Sequence, residues 1–331
     1  MREIRLDDAR LSWEGVVSVQ FEDEWAMPWR IPYGDFKLFP PDGLNGKAAI
    51  PAGVRLTFRS DTRSVLLNMA PAETKGKLDL YCDGVFRGTV TIRPKGSEFV
   101  FDGLPKGEKV VEIYLPVTGP FKLGSMRIED GAELSRVEEH RKRWITYGSS
   151  ITQCASAESP SQTWPAIVAR SKNLHLTCLG YGGNAHGEPM VARMIRDLPA
   201  DVLSFCFGIN IMGGASLGPR TFQAAILGFI QIVQEKHTGT PMAVCSPLIS
   251  PPRETTDNAV GLNLVKMREE IREAVEILRE RGDHRIHYVD GLKLFGPEEV
   301  RYLPDELHPN AAGYKVLARK FEEVVTPLLG L

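Results

Sequence analysis

The chain has 331 residues, of which 43% are hydrophobic and 25% charged, the balance of a folded globular protein rather than a disordered one. That length accommodates two ordinary domains, each with its own core. With 40 basic against 42 acidic residues, the net charge is -2, and no basic stripe stands out, so no nucleic-acid partner is expected.

The first residues, Met1-Arg2-Glu3-Ile4-Arg5-Leu6-Asp7-Asp8, have no apolar stretch behind their charges, unlike a secretory leader. No run reaches the ~18 apolar residues of a membrane span. A cytoplasmic protein without membrane contact is expected. Five cysteines (Cys82, Cys154, Cys178, Cys206 and Cys245) lack C-x-x-C spacing and read as small buried thiols.

Up to about Ser135 the texture is β. Val54 to Arg59 alternates apolar and polar residues at period two. Leu78 to Tyr81, Thr89 to Ile92, Phe99 to Phe101 and Leu123 to Ile128 are further strand candidates. Val110 to Leu115 is another, placing Val111, Ile113 and Leu115 on one face. Asp83-Gly84, Pro94-Lys95-Gly96, Asp102-Gly103 and Pro105-Lys106-Gly107 supply the turns. Many short strands so spaced predict an antiparallel β-sandwich of the jelly-roll type over 1–135. The mixed charges of Glu138 to Arg143 suit a solvated connector, 136–143.

From 144 to 331 strand-like runs alternate with helix-length amphipathic segments. The strands are Trp144–Tyr147, His175–Leu179, Val202–Phe207, Met242–Cys245 and Ile286–Val289. The helices are Gln162–Ser171, Pro189–Asp197, Thr221–Lys236, Gly261–Arg281 and Ala311–Leu328. This alternation predicts an α/β domain, a parallel sheet covered by helices, with its site at the carboxyl ends of the strands.

Four blocks fall at such ends or before the last helix. Gly148-Ser149-Ser150-Ile151-Thr152 offers a serine on a tight turn, although a Ser/Gly turn capping a helix looks the same. Leu179-Gly180-Tyr181-Gly182-Gly183-Asn184 allows close backbone approach to a ligand. Gly208-Ile209-Asn210 supplies a neutral amide donor. Asp305-Glu306-Leu307-His308 puts an acid and an imidazole on one loop, as a helix cap also would.

In their order these blocks resemble those of the SGNH (GDSL-like) hydrolases, over about 144–331. The resemblance implies a three-layer α/β/α, flavodoxin-like domain with a short parallel sheet. It implies Ser150 as nucleophile, His308 as base and Asp305 as the group that orients it. The N–H groups of Ser150 and Gly183, with the Asn210 amide, would hold the oxyanion. The chain departs from the family pattern at Ser149, where aspartate is usual, at Cys178, and at Ile211 after Asn210. Leu78-Asp79-Leu80-Tyr81 resembles the G-x-D-L-Y signature of a β module preceding some bacterial members, with Lys77 in the glycine's place.

The expected activity is that of a serine esterase removing a small acyl group, such as acetyl, from an alcohol or carbohydrate oxygen. Transfer of that group to an acceptor hydroxyl is the alternative. A glycan-binding protein that has lost activity is a third reading, which a fluorophosphonate probe would separate. Trp25-Ala26-Met27-Pro28-Trp29-Arg30 is dense in large side chains, as domain packing would require. Trp29 and Arg30 are nevertheless candidate substrate-binding residues. His186, Arg253 and Glu254 are candidates for the site's surroundings, and Trp164 reads as core. No cofactor and no metal are expected, since His284 and His287 lack further ligands at suitable spacing. The expected partner is a small-molecule or carbohydrate ester, and a homo-oligomer is compatible with the chain.

Overall fold

The period-two segments of the first part pair as antiparallel strands in a computed structural model that describes residues 1–39, 43–70, 76–93 and 96–331. The expected turn residues Pro94 and Lys95 lie outside the described residues. By contacts the chain forms two units: residues 1–36, 48–141 and 158–161 make the first, and 37–47, 142–157 and 162–331 the second.

The first unit holds two six-stranded antiparallel sheets among the described residues. One runs Ser18–Phe21, Ala26–Trp29, Leu123–Ile128, Val65–Met69, Glu98–Phe101, with Arg2–Ile4 also on Leu123–Ile128. The other runs Leu134–Ser135, Arg55–Ser60, Lys109–Tyr114, Gly76–Cys82, Val85–Ile92, with Ser12–Glu14 also on Arg55–Ser60. Leu56 pairs with Ile113 and Phe58 with Val111, and all four side chains are buried. Cross-strand apolar pairs of this kind fix the register, because a one-residue slip would turn every one of them outward.

Arg55 and Thr57, on the polar face of Arg55–Ser60, are buried too, which alternation alone did not indicate. Arg55 Nη2 lies 2.6 Å from Glu14 Oε2, and its Nε lies 3.1 Å from Glu112 Oε1. Arg141 closes on Glu14 at 2.7 Å. The buried charges of this cluster are paired with one another.

The D-L-Y residues have a structural task. Asp79 is fully buried and accepts hydrogen bonds from Thr89 Oγ1 (2.6 Å), Ser159 Oγ (2.5 Å) and the Ser161 N–H (2.9 Å). The Tyr81 hydroxyl donates to Ser161 Oγ at 3.1 Å. These bonds hold residues 158–161 within the first unit.

In the second unit five parallel strands lie in the order Leu174–Gly180, Lys142–Gly148, Val202–Cys206, Met242–Cys245, Ile286–Val289. The helix Trp164–Ser171 packs on Ala311–Val324. Pro189–Asp197 packs on Pro219–Gln234, which packs on Leu264–Glu280. Predicted and observed helices differ at their ends for identifiable reasons. Asn263 caps Leu264–Glu280 by accepting the Lys266 N–H, and a separate 3-10 turn, Thr326–Leu329, follows Val325. Trp144, Trp164 and Phe321 form an aromatic cluster in the core, with centroids 4.8 to 5.9 Å apart. None of the five cysteines forms a disulfide, and Cys82, Cys154, Cys178 and Cys245 are buried. Among the described residues, no helix is long and apolar enough to cross a membrane.

The order of the strands reverses beside Lys142–Gly148, since the chain goes from it to one neighbour and then crosses to the other. Crevices that bind ligands open at the carboxyl ends of strands at such a point.

Candidate active site

Lys142–Gly148 ends at that crevice, and the chain turns at once into the short helix Ser150–Gln153. Ser149 caps this helix, its Oγ accepting the Ile151 N–H at 3.2 Å, and is only 4% exposed. Ser150 is the first helical residue, and its Oγ lies 2.8 Å from His308 Nε2. Of the two adjacent serines, Ser150 therefore carries the contact to the imidazole.

His308 Nδ1 lies 2.6 Å from Asp305 Oδ2. The other Asp305 oxygen accepts the N–H groups of His308 (2.7 Å) and Leu307 (3.1 Å), so the carboxylate also shapes its own loop. Burial alone would raise the Asp305 carboxyl. The hydrogen bonds from the His308 backbone, the His308 ring and the Leu307 N–H outweigh burial and bring it down to about 2. An ionised carboxylate only accepts, so Nδ1 carries the proton and Nε2 is left to accept from the Ser150 hydroxyl.

The far side of this loop is anchored as well. Ser250 Oγ donates to the Glu306 carbonyl at 2.8 Å and accepts from Arg253 Nη1 at 2.9 Å. Glu254 is held by Arg268, whose Nη1 lies 2.6 Å from Glu254 Oε2. Both residues expected near the site thus brace the His308 loop or its neighbour.

The second block is pinned group by group. The Gly182 N–H donates to Gln153 Oε1 at 3.0 Å, and the Asn184 N–H to the Tyr181 carbonyl at 2.9 Å. The Gly182 carbonyl accepts from Asn184 Nδ2 at 2.7 Å, and the Gly183 carbonyl lies 3.1 Å from His186 Nε2. His186 Nδ1 is 2.6 Å from Ser216 Oγ. Gly183 has φ +74°, a left-handed conformation that costs glycine nothing and strains most other residues.

Asn210 opens the helix Ile209–Gly214, which follows Val202–Cys206. Its Oδ1 accepts the Ala185 N–H at 3.1 Å, which fixes the amide and turns Nδ2 the other way. Among the described residues, no acceptor is found for the Ser150 N–H, the Gly183 N–H or Asn210 Nδ2. Donors that are fixed in place and uncommitted are what an oxyanion requires.

A small apolar cavity of about 30 Å³ is lined by chain neighbours of these residues rather than by Ser150, Gly183, Asn210 or His308 themselves. Ser149 and Ile151 line it on either side of Ser150 in the chain, Ile209 precedes Asn210, and Leu307 precedes His308. Pro247 and Leu248 face them, and Trp164 lines it from the core while its Nε1 donates to the Ile151 carbonyl at 2.9 Å.

Trp29 and Arg30 are buried in the first unit. Trp29 stacks on Tyr33 (centroids 5.1 Å apart) and donates from Nε1 to Gln20 Oε1 at 3.2 Å. Arg30 Nε donates to the Ile50 carbonyl at 2.6 Å. Sequence reasoning gave no role to Gln153, Asn184 or Ser250. Asn184 did lie within a quoted block, directly after the glycine of interest.

The model of the GDSL-like lipase/acylhydrolase family matches residues 141–326, and that of the SsfX3 N-terminal domain matches residues 11–124. The chain belongs to the GDSL-like lipase/acylhydrolase family and is an enzyme of that class. The solved structure of the salicylyl-acyltransferase SsfX3 from a tetracycline biosynthetic pathway is 35% identical, with a TM-score of 0.92 over 99% of this chain and 97% of that one. A GDSL-like protein from Bacteroides ovatus is 24% identical, with a TM-score of 0.80 over 97% and 96%. A family two carbohydrate esterase from Clostridium thermocellum shares the fold at 14% identity, with a TM-score of 0.71 over 97% and 99%. No curated protein sequence matches.

Asp305→Asn is expected to lower kcat by up to about 10⁴-fold, because an amide facing Nδ1 no longer selects the required tautomer. With its carboxyl held down at about 2, Asp305 should stay ionised at every pH where ester hydrolysis is measurable, so its protonation should not set the acid limit of the rate. Steady-state rates of ester hydrolysis across pH check both statements.

Proposed function

We propose that this enzyme is a serine esterase that removes a short acyl group from an alcohol or carbohydrate oxygen through an acyl-enzyme on Ser150. The carrying observation is the hydrogen-bonded chain Ser150–His308–Asp305, at 2.8 and 2.6 Å, with three uncommitted donors on the neighbouring loops. Ser150 Oγ attacks the ester carbonyl while its proton passes to His308 Nε2. The oxyanion is received by the N–H groups of Ser150 and Gly183 and by Asn210 Nδ2. His308 returns the proton to the leaving alcohol, and Asp305 stabilises the imidazolium in between. Water, deprotonated by the same imidazole, then releases the acid and restores Ser150.

A short acyl group draws its support from the apolar cavity lined by Ser149 and Ile151, the chain neighbours of Ser150. At about 30 Å³ it has room for roughly two or three water-sized groups. The alcohol side is the less defined one. Trp29 and Arg30, buried as they are, draw no support as substrate contacts from the packing of the first unit.

A second reading is acyl transfer, in which an acceptor hydroxyl replaces water. It is favoured by the 35% identity to a salicylyl-acyltransferase over nearly the whole chain. Product partition separates the two. With p-nitrophenyl acetate as donor, free acetate should account for the donor consumed, with or without a sugar or simple alcohol present. A new ester dominating once an acceptor is added would support transfer and contradict hydrolysis.

A further inference from the structure

One peptide group decides whether Gly183 can serve an oxyanion. The Gly183 N–H and the Gly182 carbonyl belong to the same planar trans unit and point in opposite directions. Whatever holds the carbonyl therefore aims the N–H. In this molecule the holder is Asn184, whose Nδ2 donates to the Gly182 carbonyl at 2.7 Å. The Asn184 side chain is braced in turn by Gly43, which comes from the 37–47 segment grouped with the second unit. A Cβ built on Gly43 would overlap Asn184 Oδ1, and it would come within 2.7 Å of Cγ, so only glycine fits against the amide as it stands.

We infer that Asn184 is a positioning residue for the oxyanion donor Gly183, and that Gly43 is the surface against which its amide is set. The assignment rests on the proposed acyl-enzyme reading and deepens it. Asn184 touches no reacting atom. It acts by fixing the orientation of the 182–183 peptide before substrate arrives, so that no reorganisation is needed as charge develops on the carbonyl oxygen. The neighbouring groups are fixed independently by Gln153, Tyr181 and His186, so the 182–183 peptide is the one whose orientation depends on this amide.

The test uses the full chain and four variants. Asn184→Ala removes the hold. Asn184→Asp is isosteric but sets a carboxylate against the Gly182 carbonyl. Gly43→Ala displaces the amide without touching the loop. Both Asn184 variants should lower kcat by about 10- to 100-fold, short of the 10²–10³ lost with a donor outright, with KM within about twofold. Gly43→Ala should lower kcat in the same direction.

Because Gly43 acts only through the amide, the Gly43→Ala/Asn184→Ala double variant should be no slower than Asn184→Ala, a non-additivity expected of residues that share one effect. Affinity for an arylboronic acid, whose serine adduct places an oxygen at the oxyanion position, should fall in proportion to kcat. A purely structural role would lower Tm without linking those two quantities. The inference is overturned if both Asn184 variants keep kcat within twofold of the parent, or if Gly43→Ala imposes its full loss on top of Asn184→Ala. Ser150→Ala, assayed in parallel, keeps the two readings apart, because its retained activity would remove the acyl-enzyme itself whatever Asn184 does.

Discussion

Ser150→Ala and His308→Ala are each expected to lower kcat for ester hydrolysis by on the order of 10⁶-fold, with Tm close to that of the parent. Both side chains act as a unit, so losing either should cost about as much as losing both. The expectation follows from a single contact, the 2.8 Å between Ser150 Oγ and His308 Nε2. Without the imidazole, the hydroxyl has no acceptor for its proton during attack. Without the hydroxyl, the imidazole has no nucleophile to activate. Neither side chain fills the core, and the caps and loop contacts around them come from Ser149, Asp305 and Ser250. Purified variants assayed with p-nitrophenyl acetate give the rates, and thermal unfolding gives Tm. A double variant much slower than either single one would mean that the two residues act separately.

Asn210→Ala is expected to lower kcat by about 10²–10³-fold, the usual cost of one oxyanion donor, equivalent to ~2.7–4 kcal/mol of transition-state stabilisation. KM should change little, because the ground-state carbonyl gains less from the donor than the oxyanion does. The substitution has a second consequence that must be separated from the first. Asn210 Oδ1 accepts the Ala185 N–H, and a buried donor left without an acceptor costs ~1–3 kcal/mol of stability. Asn210→Asp keeps that acceptor and removes the donor while adding negative charge near the oxyanion. It should therefore be at least as slow as Asn210→Ala yet more stable. If Asn210→Asp hydrolyses esters at the parental rate, Asn210 has no part in holding the oxyanion.

The strands and helices were legible wherever one face of an element decides its burial. Lys109–Tyr114 buries Val111 and Ile113, and the parallel strands are short apolar runs bounded by turns. Legibility failed where tertiary contacts set the environment. Arg55 and Thr57 read as a solvent face but are buried, because Glu14, Glu112 and Arg141 bring charge to that face as well. Ala26–Trp29 reads in the sequence only as part of a segment dense in large side chains; it is a strand that contains Pro28, which lacks an N–H, and it pairs with Leu123–Ile128 through Ala26. Ile209–Gly214 was not among the expected helices: Gly213-Gly214 lowers helix propensity there, and the left-handed residue that ends it is Ala215 rather than a glycine.

The site divides in the same way. Motif order pointed to Ser150, Gly183, Asn210, Asp305 and His308, because each is fixed by its own local turn. What holds those residues was less visible. Gln153 acts on a neighbouring loop and Asn184 on its own through side-chain amides, and Gly43 meets Asn184 across a long stretch of chain. Such contacts have no period and no spacing for a sequence to display.

The most direct test of the acyl-enzyme is covalent labelling of the intact protein with a fluorophosphonate, followed by mass spectrometry of its peptides. The account predicts one adduct per chain, located on Ser150, absent from Ser150→Ala and strongly slowed in His308→Ala. Labelling of Ser150→Ala at the parental rate, or an adduct on any other residue, would contradict it.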